Sequence, residues 1–302
     1  MSRPTDMIQE TTASEDRLRS HLLALVGPRD PYANLRALDA AADYVAQEFG
    51  RCGLQVSEEP FEADGSGFRN VVGSCPGETM AEERILVVAH YDTKPGTPGA
   101  DDNASAVAAM LEAARLLAAR RWRRTLQFVG FTLEEYGYQG SRRFARQAKR
   151  EGRQIVGVLD LEMVGFTSQA QRLPPGIRAR TTGDFIGVVG NRRSRGLVET
   201  FVESARQSVP SLPVETLIVT WNGRLLPIVR LSDHVPFWDA GFPAVMITDT
   251  AFLRNPHYHE PSDTLETLDL PFLTKVTTAT AATAARLAIA ETGPCDSSPT
   301  SM

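Results

Sequence analysis

Apolar residues along this chain follow two alternating patterns. Residues 85–90 (ILVVAH) and 125–132 (TLQFVGFT) are almost uninterrupted apolar runs, which is typical of strands buried on both faces of a sheet. Residues 34–50 instead place apolar side chains three and four positions apart and end in a glycine, which predicts an amphipathic helix. The same patterns predict strands at 54–61, 69–74, 155–164, 185–190, 214–220 and 243–248 and helices at 104–119, 140–150, 194–208 and 270–291.

The order of these elements predicts the fold class. Short apolar strands separated by helices form a mostly parallel sheet covered on both faces, so we predict an α/β fold. Functional sites in such sheets lie beyond the carboxyl ends of the strands. The longest irregular stretch, residues 167–184, is a candidate lid over such a site. We predict one domain at 14–291, a disordered N-terminal segment at 1–13 and a disordered tail at 292–302.

Composition and charge narrow the class of partners. The chain has 302 residues, of which 42% are hydrophobic and 23% charged, an ordinary composition for a globular protein. Its formal net charge of −5 argues against a nucleic-acid partner, which needs a basic stripe. Arginines cluster at 120–124, 142–143 and 192–195, but acidic residues surround these runs, so we interpret them as solvated faces. The sequence leaves the oligomeric state open.

The sequence also gives an expectation for the cellular location. No window approaches the about 18 uninterrupted apolar residues of a membrane-spanning helix, so we expect no membrane partner. The first residues lack the basic-then-apolar pattern of a secretory signal. The cysteines, Cys52, Cys75 and Cys295, are odd in number and widely spaced, which suits a reducing compartment better than a disulfide framework. We therefore expect a cytoplasmic protein.

The histidines and carboxylates that are candidates for chemistry lie at or beyond the ends of predicted strands. They are His90 and Asp92 after 85–89, Glu134 and Glu135 after 125–132, Asp160 and Glu162 at the end of 155–164, and His257 and His259 beyond 243–248. Four of the five histidines in the chain lie in these segments or, as His234, beside Asp233. Histidine nitrogen and carboxylate oxygen are the ligands that zinc accepts where cysteine is absent. The pattern therefore indicates a metal site.

Two adjacent aspartates, Asp101 and Asp102, precede the predicted helix at 104–119. Taken alone, they and Asn103 would be a helix cap, since carboxylates stabilise the positive end of a helix. Two divalent ions about 3.5–4 Å apart also need a carboxylate between them to offset their repulsion. Together with the other segments, the aspartate pair indicates such a bridging ligand, because capping alone explains too little.

Six segments in a fixed order carry a specific resemblance to a known family. They are HYDT (90–93), PGADDNAS (98–105), FTLEEYGYQGS (131–141), LEMVGF (161–166), SDHVPFWDAGFP (232–243) and HYHEPSDT (257–264). This set resembles the co-catalytic zinc aminopeptidase family, whose relatives include bacterial leucyl aminopeptidases, aminopeptidase Y, glutamate carboxypeptidase and glutaminyl cyclases. The match covers roughly residues 69–270. It implies a zinc-peptidase catalytic domain with a phosphorylase/hydrolase-like three-layer α/β sandwich around a mixed, mostly parallel sheet.

The resemblance also implies roles for individual residues. Glu134 would be the general base that takes the proton of a zinc-activated water, and Tyr258 would stabilise the oxyanion of the tetrahedral intermediate. The peptide bond that follows the bridging aspartate, Asp102–Asn103, is expected to be cis. Which histidine shares an ion with Glu135 stays open. Two zinc ions per chain would be held by five ligands, with the aspartate bridging both ions: His90, Asp102, Glu135, Glu162 and His259.

One ligand assignment has an alternative. Many relatives carry an aspartate before Met-Ile-Gly, whereas this chain has Glu162 before Met-Val-Gly. Glutamate has one more methylene but the same ligating carboxylate, so we assign Glu162 to the second zinc. Asp160 lies two residues earlier on the same strand, hence on the same face, and is the reserve candidate.

Several neighbours of the ligands have supporting roles in this interpretation. Asp92 is expected to orient the imidazole of His90 without contacting the metal. Asp233 and His234 are expected to contribute supporting hydrogen bonds. His257 is either a substrate contact or an ordinary loop histidine, and the sequence does not decide between the two.

The function implied is that of a metallo-aminopeptidase, which hydrolyses the N-terminal bond of peptides with a free amino end. The closest alternative is a glutaminyl cyclase-like cyclotransferase, although the glutamate pair and the full ligand set favour hydrolysis. A carboxypeptidase would need a cationic pocket, for which Arg224, Arg230 and Arg254 are candidates. A peptidase-like binding domain that has lost catalysis would lack a ligand or the base, and all of them are present here.

Overall fold

A single eight-stranded sheet forms the centre of the protein in the computed structural model, which describes residues 12–173, 176, 178 and 180–289. The order of the strands across the sheet is β1-β2-β4-β3-β5-β8-β6-β7. The strands are β1 (Gln55–Ala63), β2 (Ser66–Cys75), β3 (Met80–His90), β4 (Arg124–Phe131), β5 (Gln154–Glu162), β6 (Ile186–Asn191), β7 (Val214–Val219) and β8 (Ala244–Thr248).

The strand directions make this sheet mixed. β3 runs parallel to both β4 and β5, β5 runs parallel to β8, and β6 runs parallel to β7. β1 and β2 form an antiparallel hairpin, β2 is antiparallel to β4, and β6 is antiparallel to β8. The predicted mixed, mostly parallel sheet is therefore confirmed. Its parallel centre brings the carboxyl ends of β4, β3 and β5 side by side.

Helices cover both faces of the sheet. Along β3, Ile85 and Val87 belong to one hydrophobic core, while Leu86 and Val88 belong to another. Because side chains of a strand alternate between its faces, the two cores lie on opposite sides of the sheet, which makes the predicted three-layer sandwich. The helices are α1 (Glu15–Leu25), α2 (Leu35–Arg51), α3 (Ala106–Ala118), α4 (Gln139–Arg150), α5 (Arg195–Ser208), α6 (His234–Ala240) and α7 (Leu270–Ile289).

The two cores differ in size and in the helices that cover them. Helices α1, α2, α3, α5 and α7 contribute buried side chains to the larger core, and α4 and α6 contribute to the smaller one. Coverage on both faces explains why the central strands are almost uninterrupted apolar runs in the sequence. Every residue of β4 is buried.

The hairpin at one edge of the sheet turns on two residues. Ala63 pairs with Ser66, so that Asp64 and Gly65 form the turn, and both have a positive φ (50° and 77°). An Asp-Gly pair favours such a turn because glycine adopts a positive φ without strain and aspartate tolerates it. The strands predicted at 54–61 and 69–74 are thus present as β1 and β2.

Helix α1 is not among the elements predicted from the apolar pattern. Its first turn is acidic, and the side chain of Ser14 caps it by accepting a hydrogen bond from the backbone N–H of Arg17. Leu18 and Leu22, which are four residues apart on one face of this helix, are fully buried. These start signals and the helical spacing were present in the sequence, but the buried apolar stripe is narrow and the other positions mix polar residues with Leu23 and Ala24.

The predicted terminal segments lie largely outside the described residues, which begin at residue 12 and end at 289. Ala13 is buried, and its backbone N–H donates a hydrogen bond to Thr278 in α7. In the candidate lid, 167–184, Ser168 and Gly183 pair as an isolated antiparallel bridge. Its covering role stays a prediction. Across the part of the chain that the structure describes, no helix combines the length and apolar character needed to cross a membrane.

The contribution of α1 is testable with a matched pair of variants. Leu22→Ala removes a fully buried side chain, so we expect it to lower the free energy of unfolding by about 2–5 kcal/mol. Leu23→Ala, next to it, removes a side chain that is 66% exposed and should change stability by less than about 0.5 kcal/mol. Chemical denaturation of both variants measures the difference. Equal stabilities would contradict the packing of α1 on the core.

Candidate metal centre

Three adjacent parallel strands bring four candidate residues to one edge of the sheet. His90 is the last residue of β3, and Glu162 is the last residue of β5. Glu134 and Glu135 follow shortly after β4, which neighbours β3. Because parallel strands end at the same edge, these side chains lie close together.

Two further candidates lie on loops. Asp102 belongs to a turn (Ala100–Ser105) directly before α3, and the Asp102–Asn103 peptide bond is cis, as the resemblance implied. His259 lies in the segment between β8 and α7. Both loops approach the strand ends from outside the sheet, so that residues distant in sequence meet at one place.

His90, Glu134 and Glu162 form the first group of potential ligand atoms. The Nε2 atom of His90 lies 3.5 Å from Glu162 Oε2 and 3.9 Å from Glu134 Oε2. Asp102 Oδ1 lies 3.4 Å from the same nitrogen. All four side chains are buried, so a cation held among them would be shielded from solvent.

Asp102, Glu135 and His259 form the second group. His259 Nε2 lies 3.1 Å from Asp102 Oδ2 and 3.3 Å from Glu135 Oε2. The two oxygens of Asp102 therefore face different histidines, Oδ1 toward His90 and Oδ2 toward His259. A carboxylate shared in this way is what two neighbouring divalent ions require.

Unpartnered polar atoms point into both groups. Among the described residues, the buried atoms without a hydrogen-bond partner include His90 Nε2 in the first group and His259 Nε2 in the second. Buried polar atoms are normally satisfied, so orphaned atoms that converge on one place need a ligand. Imidazole nitrogen and carboxylate oxygen are ligands that zinc accepts. The residues present therefore fit this metal.

Crowding of the carboxylates changes the ionisation of the site. Burial raises the pKa of Glu134 well above its ordinary value and that of Glu162 to about 7. Burial acts to lower the pKa of His90, but the Glu134 and Glu162 carboxylates outweigh this effect and raise it well above its usual range. Burial likewise opposes ionisation of Asp102, but the histidines His90 and His259 hold its pKa well below the usual range. A divalent cation would offset this concentrated negative charge.

Asp92 supports the site from behind. Its two carboxylate oxygens accept hydrogen bonds from the backbone N–H groups of Glu134 (3.1 Å) and Glu135 (3.2 Å). The Nδ1 atom of His90 lies 3.2 Å from the Asp92 carbonyl oxygen and 3.5 Å from its Oδ1. Asp92 thus lies against the His90 imidazole, and it also positions the glutamate pair, a contact that the sequence analysis did not foresee.

Asp160, Asp233 and His234 lie together behind the first group. Asp160 Oδ2 accepts a hydrogen bond from the backbone N–H of His234 (2.8 Å) and lies 3.2 Å from its Nδ1. Asp233 accepts a hydrogen bond from the hydroxyl of Ser141. Asp160, the reserve candidate for a ligand, therefore faces His234, whereas Glu162 faces His90.

The last two sequence candidates lie in different surroundings. The ring of Tyr258 stacks on His259 with a centroid distance of 3.7 Å. Burial, reinforced by nearby carboxylates, raises the pKa of Tyr258, so its hydroxyl stays protonated at neutral pH. His257 instead turns toward its own loop, with Nδ1 2.8 Å from Ser262 Oγ and its ring edge-on to Phe166.

Asp263, to which the sequence analysis gave no role, connects the two loops that carry ligands. It is fully buried, and its Oδ1 and Oδ2 accept hydrogen bonds from the backbone N–H groups of Asp101 (2.9 Å) and Asp102 (3.1 Å). The segment of His259 is thereby tied to the turn of Asp102. Asp263 belongs to the motif HYHEPSDT, which indicated that it lies near the site. Its hydrogen bonds to a turn far away in sequence could not be predicted from the motif.

Two more contacts to the ligands were missed. The hydroxyl of Ser232 donates to Glu162 Oε2 (2.7 Å). The ammonium group of Lys94 lies 3.2 Å from Glu135 Oε2 and also donates to the Glu135 carbonyl oxygen. Ser232 begins one of the six motifs and Lys94 directly follows another, and only the folded chain shows which ligand each of them holds.

An apolar cavity of about 260 Å³ opens beside the two groups. Glu162 and Tyr258 form part of its wall, so the cavity begins where the ligand groups end. Most of its remaining wall is apolar, with side chains that include Phe185, Leu226, Ile228, Val229, Met246 and Leu253. The site therefore combines two charged ligand groups with an adjacent apolar cavity.

Residues 70–284 match the family described as Peptidase family M28. The match covers more than half of the chain and contains each residue of the two ligand groups. The chain belongs to peptidase family M28. The resemblance that we described from the six motifs is therefore confirmed.

The M28 relatives agree with this assignment. The uncharacterized protein YfbL of Escherichia coli (strain K12) is 32% identical over 275 residues, which cover 85% of this chain and 82% of that protein. A protein named probable leucine aminopeptidase, from Trichophyton verrucosum (strain HKI 0517), is 30% identical over 214 residues, or 66% of this chain. The match covers 52% of that fungal protein, about half of its length. The Legionella pneumophila LapA aminopeptidase has the same fold, with a TM-score of 0.77 at 20% identity over 96% of this chain and 74% of its own.

Removal of metal should make the stability of the protein depend on pH. Burial raises the pKa of Glu162 from 4.5 to about 7, so the stabilisation that its protonated form gives at low pH is lost as the pH rises through 7. We expect chelator-treated protein to be less stable at pH 8 than at pH 5, with a slope of up to about 1.4 kcal/mol per pH unit for each proton released. The stability of zinc-reconstituted protein should depend less on pH, because the cation compensates the charge of the ionised carboxylate. Thermal unfolding of both forms measures this, and parallel profiles would contradict it.

Proposed function

We propose that this M28 chain is a two-zinc aminopeptidase, which hydrolyses the first peptide bond of peptides that have a free amino end. The observation that carries the proposal is the Asp102 carboxylate, with one oxygen toward each histidine. His90 and Glu162 would complete one metal site, and Glu135 and His259 the other. When bound, zinc supplies a Lewis acid and lowers the pKa of a bound water to about 7.

Glu134 is the general base in this proposal. The backbone N–H of Glu134 donates a hydrogen bond to Asp92, which fixes its position. Its Oε2 lies 3.9 Å from His90 Nε2, farther than the oxygens of Asp102 and Glu162. Burial raises its pKa, which favours a carboxylate that accepts a proton from water and returns it to the leaving amine. The five ligand residues suffice for two ions, so Glu134 remains free to carry the proton.

Tyr258 is placed to stabilise negative charge on the reacting carbonyl oxygen. It stacks on His259 and lines the cavity, so it borders both the metal ligands and the space for substrate. Since its hydroxyl stays protonated, it can donate a hydrogen bond to an oxyanion.

The surroundings of the two groups favour an amino end over a carboxyl end. The substrate ammonium would meet an edge rich in carboxylates, including Glu134 and Glu162. The side chain of the first residue would enter the apolar cavity, so we propose a preference for apolar first residues. Two arginines that could serve a carboxypeptidase are engaged elsewhere: Arg230 pairs with Asp239, and Arg254 is buried with its side chain on Gln171.

A cyclase and a non-catalytic binding domain fit the site less well. A one-zinc cyclase would leave the second group, with the orphaned nitrogen of His259, without a function. A binding domain without catalysis would not need the buried Glu134 beside a complete ligand set.

We also propose a cytoplasmic location for the protein. The support for it is the unpaired state of Cys52 and Cys75, since free thiols persist in a reducing compartment. Cell fractionation tests this location.

A peptide panel tests the function. We expect zinc-loaded protein to release the first residue from unblocked peptides, including those with an amidated carboxyl end, and to prefer leucine or phenylalanine over glutamate in that position. N-acetylated peptides should be resistant, and a chelator should abolish activity until zinc is restored. Residues released from the carboxyl end would indicate a carboxypeptidase instead. Cyclisation of an N-terminal glutamine without hydrolysis would indicate a cyclase.

The two neighbouring glutamates should respond differently to the same substitution. Glu134→Gln removes the base but leaves the five ligands, so we expect turnover to fall about 10²–10⁴-fold with zinc content unchanged. Glu135→Gln, the matched variant, should lose zinc as well as activity. Elemental analysis and steady-state kinetics separate these outcomes. Retained turnover in Glu134→Gln would refute its role as the base.

Asp263 should act as a positioning residue for the second metal site. In Asp263→Asn the amide nitrogen cannot accept the hydrogen bond from one of the two backbone N–H groups, so the turn of Asp102 should shift relative to the loop of His259. We expect the more weakly bound zinc to be lost at least tenfold more readily in competition with a chelator. Asp269→Asn is the control, because Asp269 also accepts two hydrogen bonds, from Thr167 and Phe272, at the start of α7. Unchanged zinc binding in Asp263→Asn would exclude this role.

A further inference from the structure

Helix α4, on the face of the smaller core, carries an unusual concentration of positive charge. Five of its twelve residues are basic, and all five side chains are exposed, while Phe144, Ala145 and Ala148 are buried on its other side. The chain as a whole has a net charge of −5, so the charge of this helix is a local feature and not that of a generally basic surface. The basic residues are Arg142, Arg143, Arg146, Lys149 and Arg150.

These five residues line an open groove of about 890 Å³. The groove also has an apolar part, formed by residues of β1 and α6 that flank the helix. This part consists of Pro60, Phe61, Val235, Pro236 and Ala240. A ligand in the groove would therefore meet cations from the helix and apolar surface from its neighbours.

The acidic side chains in the groove do not neutralise the helix. Glu59 pairs with Arg153 (3.5 Å), and Asp239 pairs with Arg230 (2.9 Å). Arg143 stacks on Phe61, with its guanidinium carbon 4.9 Å from the ring centre. Four of the five basic side chains of α4 form no ion pair with any residue that the structure describes: Arg142, Arg146, Lys149 and Arg150.

The spacing of the unpaired cations matches an extended peptide. Arg142, Arg146 and Arg150 follow one another at intervals of four residues, or about 6 Å along a helix. Side chains on one face of an extended strand repeat every two residues, or about 6.6 Å. A peptide with acidic residues at alternate positions would place its carboxylates beside these cations and its intervening side chains on the apolar part of the groove.

We propose that the groove between α4, α6 and β1 binds an extended, acidic peptide segment in which acidic and apolar residues alternate. None of the lining residues belongs to the two ligand groups, so this binding does not require a free amino end and does not depend on the proposed peptidase activity. A segment of a partner protein would supply such a sequence. A long nucleic acid is disfavoured because the remainder of the chain is acidic.

Fluorescence anisotropy with a designed probe tests the proposal. The probe is an acetylated, amidated octapeptide of alternating glutamate and valine that carries fluorescein. We expect saturable binding that weakens as salt is raised, and no binding of the glutamine–valine or lysine–valine peptides. The triple variant Arg142→Gln, Arg146→Gln, Arg150→Gln should lose about tenfold in affinity, since each exposed ion pair contributes only modestly.

Controls separate the groove from general charge effects. The variant Arg192→Gln, Arg193→Gln, Arg195→Gln removes the same number of charges from another exposed cluster and should bind the probe as the unmodified protein does. Circular dichroism of both variants establishes that they are folded. Absence of binding at low salt, equal losses in the two variants, or tighter binding of a single-stranded oligonucleotide or of phosphatidylserine vesicles would overturn the proposal.

Discussion

Mutual repulsion among buried carboxylates is the constraint on which the carboxyl edge of the sheet depends. Asp102, Glu134, Glu135 and Glu162 lie within a few ångströms of two histidines in a region with little exposure. Such an arrangement is costly without compensation, because burial disfavours each ionised group and neighbouring charges add to the cost. Cations bound in the two ligand groups would offset this cost.

The surrounding residues hold the candidate ligands, while the Nε2 atoms of both histidines stay without a hydrogen-bond partner. Asp92 engages the backbone of the glutamate pair, and Asp263 engages the backbone of the Asp102 turn. Ser232 instead contacts a side chain, since it donates to Glu162 Oε2, the oxygen that lies 3.5 Å from His90 Nε2. Such outer contacts fix the orientation of metal ligands in general.

Much of the fold could be predicted from the sequence, because burial of the strands and the geometry of turns leave local patterns. Strands such as β4 are buried on both faces and therefore appear as apolar runs, and the turn of the edge hairpin is marked by Asp64 and Gly65. Helix α1 was not predicted because its buried apolar stripe is narrow. His90, Glu134, Glu135 and Glu162 could be predicted because they end or closely follow strands, and Asp102 and His259 because they lie in the motifs that carry the family resemblance. The role of Asp263 depends on a contact between loops far apart in sequence. Hydrogen bonds of that kind leave no local pattern.

The two ligand groups rest on supports of unequal rigidity. His90 and Glu162 end strands at the centre of the sheet, where His90 pairs with Phe131 of β4 and Glu162 pairs with Thr248 of β8. Glu135 and His259 lie on connecting segments, whose positions depend on a few side-chain hydrogen bonds. The sheet thus holds the backbones of His90 and Glu162, whereas Asp92 and Asp263 hold the segments of Glu135 and His259. Substitutions outside the sheet would therefore disturb the second group before the first.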